Sequence, residues 1–163
     1  MPERWVLNAS PLIALAKIDQ LHLLTGLGAE IVVPQAVADE IDAGPSDDAA
    51  RRWLGSLPVP IVPAAVEPDV LAWDLGAGES AVLSHAYRNQ GWTVVLDDRA
   101  ARRCAHALAI PVIGTLGIIL RAKKEGLIQE AVPILKKLQG AGFHLDDHVV
   151  TEALRAAVGE VWE

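Results

Sequence analysis

A single cysteine, Cys104, occurs among the 163 residues, so no disulfide can form within the chain. Aromatics other than Trp are scarce: one Phe, Phe143, and one Tyr, Tyr87, accompany five Trp. The core must therefore be built mostly from Leu, Ile, Val and Ala. Long apolar runs are missing too. The longest, around Ile110 to Leu120, contains two Gly and a Thr and is too short to span a bilayer. We expect no secretory leader. Together with the lone cysteine, this leads us to expect a soluble protein of a reducing cytoplasm.

Other absences remove whole classes of chemistry. Gly76-Ala77-Gly78 lacks the third glycine of a dinucleotide fingerprint, and Gly114 to Gly117 lacks the Lys-Ser/Thr of a P-loop. His144 and His148 are four apart, but no cysteine pair accompanies them. Asp146 reads as a helix N-cap, which places His144 outside that helix and argues against zinc. An aspartate-nucleophile phosphatase needs a second Asp two positions after the first, whereas Asp97 and Asp98 are adjacent. Cys104 reads as a buried structural residue.

The chain is 52% hydrophobic with a net charge of −7, which argues against a general nucleic-acid binder. Charge is uneven, however. Arg99 to Lys137 holds eight basic residues and two acidic ones, a local excess able to meet a polyanion or simply to solvate helix faces.

Strand and helix signals alternate. Strands are expected at 4–7, 30–33, 59–62, 94–96 and 111–113. Helices are expected from Ser10-Pro11 to Lys17, over 20–24, 35–43, from a Ser46 cap through Leu54, 79–90, 100–108, 115–124, 131–138 and 146–158. This order predicts an α/β fold, a central mostly parallel sheet of four to five strands flanked by helices in three layers. The length fits one domain over 1–163, with the helices from about 130 packing on it or extending it.

Oxygen-bearing side chains recur at strand ends and helix starts. Asn8 follows Trp5-Val6-Leu7, Glu40 lies on the 35–43 helix, Glu79 follows Gly76-Ala77-Gly78, and Asp97-Asp98 follow Val94-Val95-Leu96. Each has a plain structural alternative. Asn8 and Asp98 suit N-caps, Glu79 suits a helix N-terminus, and Glu40 suits a solvated face. Brought together, they would repel unless a cation neutralised them, and hard oxygen donors suit Mg²⁺ or Mn²⁺.

The ordered set Val6-Leu7-Asn8-Ala9-Ser10-Pro11, Val37-Ala38-Asp39-Glu40-Ile41, Gly76-Ala77-Gly78-Glu79-Ser80-Ala81 and Leu96-Asp97-Asp98-Arg99 resembles the successive motifs of PIN-domain proteins. The resemblance is narrower to a prokaryotic PIN-like branch, which also carries Pro111-Val112-Ile113-Gly114-Thr115-Leu116-Gly117. That branch is related to the VapC-like ribonucleases of toxin–antitoxin pairs. The resemblance implies a Mg²⁺- or Mn²⁺-dependent endoribonuclease, cytoplasmic and homodimeric, acting on single-stranded RNA and restrained by a small antitoxin. It places Glu40, Glu79, Asp97 and Asp98 as catalytic residues, and Asn8, Glu79, Asp97 and Asp98 as metal ligands. Ser10, Arg99, Arg102 and Arg103 would contact RNA. Asn8 departs from the family, which usually has Asp there. An amide oxygen can ligate but carries no charge, so the alternative is a weak or inactive module that binds RNA or protein.

Overall fold

The computed structural model describes residues 2–44, 48–56, 59–63 and 65–163. Among them, β1 (Arg4–Leu7) leads to α1 (Ala9–Lys17), α2 (His22–Gly26), β2 (Glu30–Pro34), α3 (Gln35–Ala43), α4 (Asp48–Ser56) and β3 (Ile61–Val62). Then follow α5 (Pro68–Leu71), α6 (Ala77–Arg88), β4 (Thr93–Val95), α7 (Arg99–Ala107), β5 (Val112–Ile113), α8 (Thr115–Lys124), α9 (Ala131–Gly140) and α10 (Asp147–Ala157).

The sheet is parallel throughout, in the order β3-β2-β1-β4-β5. Trp5, Val6 and Leu7 of β1 pair with Thr93, Val94 and Val95 of β4, and Val6 also pairs with Val32 of β2. Helices flank this sheet, which explains why its central strands are continuous apolar runs rather than alternating ones. Trp5, Val6, Leu7, Val94, Val95 and Leu96 are all essentially inaccessible to solvent. Helix α6 crosses β2, β1 and β4 and meets α7, while α1 packs against α4, α8 and α9. Leu135 and Leu138 of α9 and Val150 and Leu154 of α10 join the same hydrophobic cluster.

Helices 35–43 and 115–124 have the expected bounds. Three begin earlier than their sequence signals, α7 by one residue, at Arg99. Helix α1 starts at Ala9, so Pro11 sits at its third position rather than its first. Proline fits there because the first-turn N–H groups have no carbonyl partner one turn back. Helix α6 starts at Ala77, which puts Gly78 inside its first turn. The short α5 has no counterpart in the sequence reading, and Ser46 lies outside the described residues.

Candidate active site

The chain leaves β1 toward β2 and β3 on one side, then returns to lay β4 and β5 on the other. The carboxyl ends of β1 and β4 therefore border the crevice where the strand order reverses, the place where open α/β sheets build their sites. Asn8 and Asp97-Asp98 stand at these two ends. The Asn8 N–H donates to the Val95 carbonyl at 3.0 Å, carrying the ladder one step past β1.

Asn8 is 2% exposed. It occupies the N-cap position of α1 yet makes no capping hydrogen bond, and its Oδ1 is a buried oxygen without a partner. An unsatisfied buried acceptor of this kind costs about 1–3 kcal/mol. Across from it, the first turn of α6 presents Gly78. A methyl group on Gly78 would lie 3.1 Å from Asn8 Oδ1 and 3.5 Å from Glu40 Oε1. Three elements thus bring two side-chain oxygens to one small space over a glycine. Glu40 reaches it from α3, whose buried Val37 and Ile41 anchor that helix to the core and leave Glu40 at its exposed border.

The two aspartates are held separately. Asp98 is the N-cap of α7, its Oδ2 accepting from the Ala101 N–H at 2.9 Å. Asp97 reaches the start of α8, where its Oδ1 accepts from the Thr115 N–H at 2.8 Å and its Oδ2 from the Thr115 hydroxyl at 2.7 Å. Burial pushes the Asp97 carboxyl above its ordinary pKa, against the opposing effects of the Thr115 bonds and the nearby Arg102 guanidinium. Gly114 allows this approach: a methyl there would fall 2.8 Å from both Asp97 Oδ1 and Arg102 Nη1. Glu79 folds back over the α6 N-cap, its Oε2 2.6 Å from where a methyl on Gly76 would sit. Its carboxylate therefore lies near the positive end of that helix.

A family model described as a PIN domain matches residues 4–159. The chain belongs to the PIN-domain family. The structure of the PIN domain endonuclease Utp24 is similar to it, with a TM-score of 0.54 and 12% identity over 69% of this chain and 85% of that one. At that identity the likeness concerns the fold. No curated protein matches the chain.

PIN-domain membership implies a divalent cation, and the donor set can be judged on its chemistry. The buried Asn8 Oδ1 and the Oε1 of the exposed Glu40 over Gly78 are hard oxygens of the type that suits Mg²⁺ or Mn²⁺, and the unsatisfied amide oxygen has an acceptor position to offer. Among the described residues, no three His, Cys, Asp or Glu side chains converge in a metal-holding group. The oxygens seen to share one space are those of Asn8 and Glu40, while Asp98 and Asp97 are engaged at the starts of α7 and α8. Sequence spacing alone treats Asp97 and Asp98 as one pair, whereas the helix starts of α7 and α8 divide them.

The expected RNA contacts also separate in this PIN domain. Ser10, Arg99 and Arg103 are exposed. Arg102 is half-buried and turned inward, donating to the Leu96 carbonyl at 3.2 Å. The downstream basic residues do not form one stripe. Arg121 pairs with Glu3 and lies over Trp5 at the amino end of β1, and Lys136 lies over Trp162. Asp146 does cap α10, accepting from the Val149 N–H at 3.0 Å, so His144 lies outside that helix. Cys104 is buried, and burial pushes its thiol above the ordinary pKa. Thr115 and Gly78 are site residues that the sequence reading treats only as parts of motifs. Their signal was position: one opens α8 opposite the aspartates, and the other follows a glycine at the start of α6.

Proposed function

We propose that this PIN domain is an endoribonuclease that hydrolyses single-stranded RNA with Mg²⁺ or Mn²⁺. The observation that carries the reading is the unsatisfied Asn8 Oδ1, facing Glu40 over Gly78 at the point where the strand order reverses. Asn8 and Glu40 would hold the cation, with Asp98, Asp97 and Glu79 supplying negative charge around it. A divalent cation bound there supplies charge neutralisation at the phosphate and lowers the pKa of water. In this reading Glu40 would take a proton from the attacking water and return it to the leaving oxygen. The water oxygen bonds to phosphorus, one phosphate ester bond breaks, and a phosphomonoester and a hydroxyl result. Exposed Arg99 and Arg103 would meet the RNA backbone through its phosphates. No helix of the described residues is long and apolar enough to cross a membrane. The family resemblance extends the proposal to the toxin of a toxin–antitoxin pair, cytoplasmic and homodimeric, neutralised by a small antitoxin protein.

The test is cleavage of a single-stranded RNA with Mn²⁺ by the wild type, Glu40→Gln and Asp98→Ala. Glu40→Gln is the cleaner variant because Asp98 also caps α7. Loss of at least tenfold in Glu40→Gln, with an unchanged melting temperature, supports the reading. Equal cleavage by wild type and both variants, or none by homogeneous wild type, sinks it. The amide at Asn8 favours a second reading, a module that binds RNA or a protein without cutting. Failure to cleave despite tight RNA binding would select it.

A further inference from the structure

A cavity of about 260 Å³ opens beside Glu40, between α1, α3 and the turn that ends α9. One face of α1 lines it, with Ser10, Ile13 and Lys17 on the same stripe at helical spacing. Leu138 and Phe143 form the opposite wall. Its lining combines apolar side chains with the exposed Ser10, Lys17 and Glu40. Glu40 belongs to both this cavity and the junction over Gly78.

The backbone that carries Phe143 is held by the end of α9. The Gly142 N–H donates to the Gln139 carbonyl at 3.0 Å, and the Phe143 N–H donates to the Leu138 carbonyl at 3.1 Å. Gly142 has φ 96°. These are the two bonds and the left-handed residue of a Schellman ending, whose usual companion is an apolar contact between the residues here numbered Leu138 and Phe143. The backbone position of the chain's one phenylalanine, which lines the cavity, is therefore set by this helix ending.

We propose that this cavity is a subsite for one unstacked base of single-stranded RNA, stacked on Phe143, with Lys17 against a flanking phosphate. The proposal rests on the ribonuclease reading and adds how the strand is held. A flat base has the π-face that an aromatic wall recognises, and its edge can meet the Ser10 hydroxyl at the rim. Lys17 lies about 10 Å along α1 from Ser10, so cation and hydroxyl meet different parts of the strand. A base inside a duplex is stacked and paired and could not enter.

The experiment measures binding of a fluorescein-labelled twelve-nucleotide single-stranded RNA to the full chain by anisotropy, without divalent cation so that nothing is cut. Phe143→Leu keeps the apolar contact with Leu138 and removes the π-face; Phe143→Trp keeps a π-face. The expected result is affinity lowered about tenfold in Phe143→Leu and within about twofold of wild type in Phe143→Trp. Duplex RNA should bind more weakly and ignore both changes. Lys17→Gln should reduce the salt dependence by about one counterion. Equal affinity of wild type and Phe143→Leu overturns the proposal, as does absence of single-strand binding by wild type. Sedimentation showing a dimer that Phe143→Leu dissolves also overturns it, in favour of a second copy in the cavity. Cleavage assays separate the two ideas. Cutting with no Phe143 dependence removes the subsite alone, whereas Phe143-dependent binding without cutting removes the nuclease reading alone.

Discussion

The Asp97 carboxylate spans from the end of β4 to the start of α8, taking one hydrogen bond from the Thr115 N–H and another from its hydroxyl. Its chain neighbour, Asp98, caps a different helix. Two carboxylates that share a peptide bond thus fix two helix starts, and each helix start offsets one negative charge at the site.

This arrangement makes Asp97 and Thr115 separable from catalysis by stability. Thr115→Val removes the hydroxyl bond and should cost about 1 kcal/mol. Asp97→Ala leaves the Thr115 N–H without its acceptor and should cost about 2–3 kcal/mol. Asp97→Asn keeps one acceptor oxygen but loses the second and the charge that the helix start offsets, so it should cost about 1 kcal/mol, less than Asp97→Ala. Urea denaturation reads all three. If Thr115→Val unfolds at the wild-type midpoint, the hydroxyl contributes nothing to the hold on Asp97.

Gly78→Ala should separate folding from function in the opposite direction. Alanine favours the helix by up to about 1 kcal/mol, so the variant should fold. Its methyl would lie 3.1 Å from Asn8 Oδ1 and fill the space between that oxygen and Glu40. RNA cleavage with Mn²⁺ should fall at least tenfold while the melting temperature holds. Wild-type cleavage by this variant would show that the junction is not where the phosphate reacts.

Asn8→Asp asks what the amide is for. A second carboxylate oxygen set close to Glu40, in a buried position, should destabilise the cation-free protein by about 1–3 kcal/mol. Mn²⁺ should then raise the melting temperature of Asn8→Asp more than that of wild type, because a ligand at a hundred times its Kd contributes about 2.7 kcal/mol. The readout is the thermal shift with and without Mn²⁺. An identical shift in both proteins would place the cation elsewhere.

Asp146 gives a pH-dependent signature far from the site. The backbone N–H of Val149 holds its carboxyl below the ordinary pKa, with smaller help from His148 and His144. A lowered pKa in the folded state means stability that is present above the unfolded value and lost as pH falls through the folded one. Asp146→Ala should therefore melt below wild type at neutral pH, and the gap should close in acid. A gap that persists in acid, with Asp146 protonated, would mean that the charged cap is not its source.

The alternation of strand and helix was plain in the sequence because buried parallel strands leave continuous apolar runs, such as Trp5-Val6-Leu7. Helix starts were less plain. Pro11 marked one, but proline tolerates several first-turn positions, so it did not say which. Asp98 as a cap was legible, since its partner Ala101 is three residues away. Asp97 was not, since its partner Thr115 lies eighteen residues on. The Asn8–Glu40–Gly78 junction was only half legible. Asn8 and Glu40 could be picked by residue type, but the space they share depends on a glycine whose role is to leave room.

The position of β1 has a bearing on synthesis. One edge of this strand is covered by residues 30–34, and the other waits for residues 93–95. Until then the Asn8 amide has no Val95 carbonyl to meet. A nascent chain stalled on the ribosome before that point carries Asn8, Glu40 and Gly78 without the strand that sets them in register. Fragments from aborted translation would therefore lack the junction.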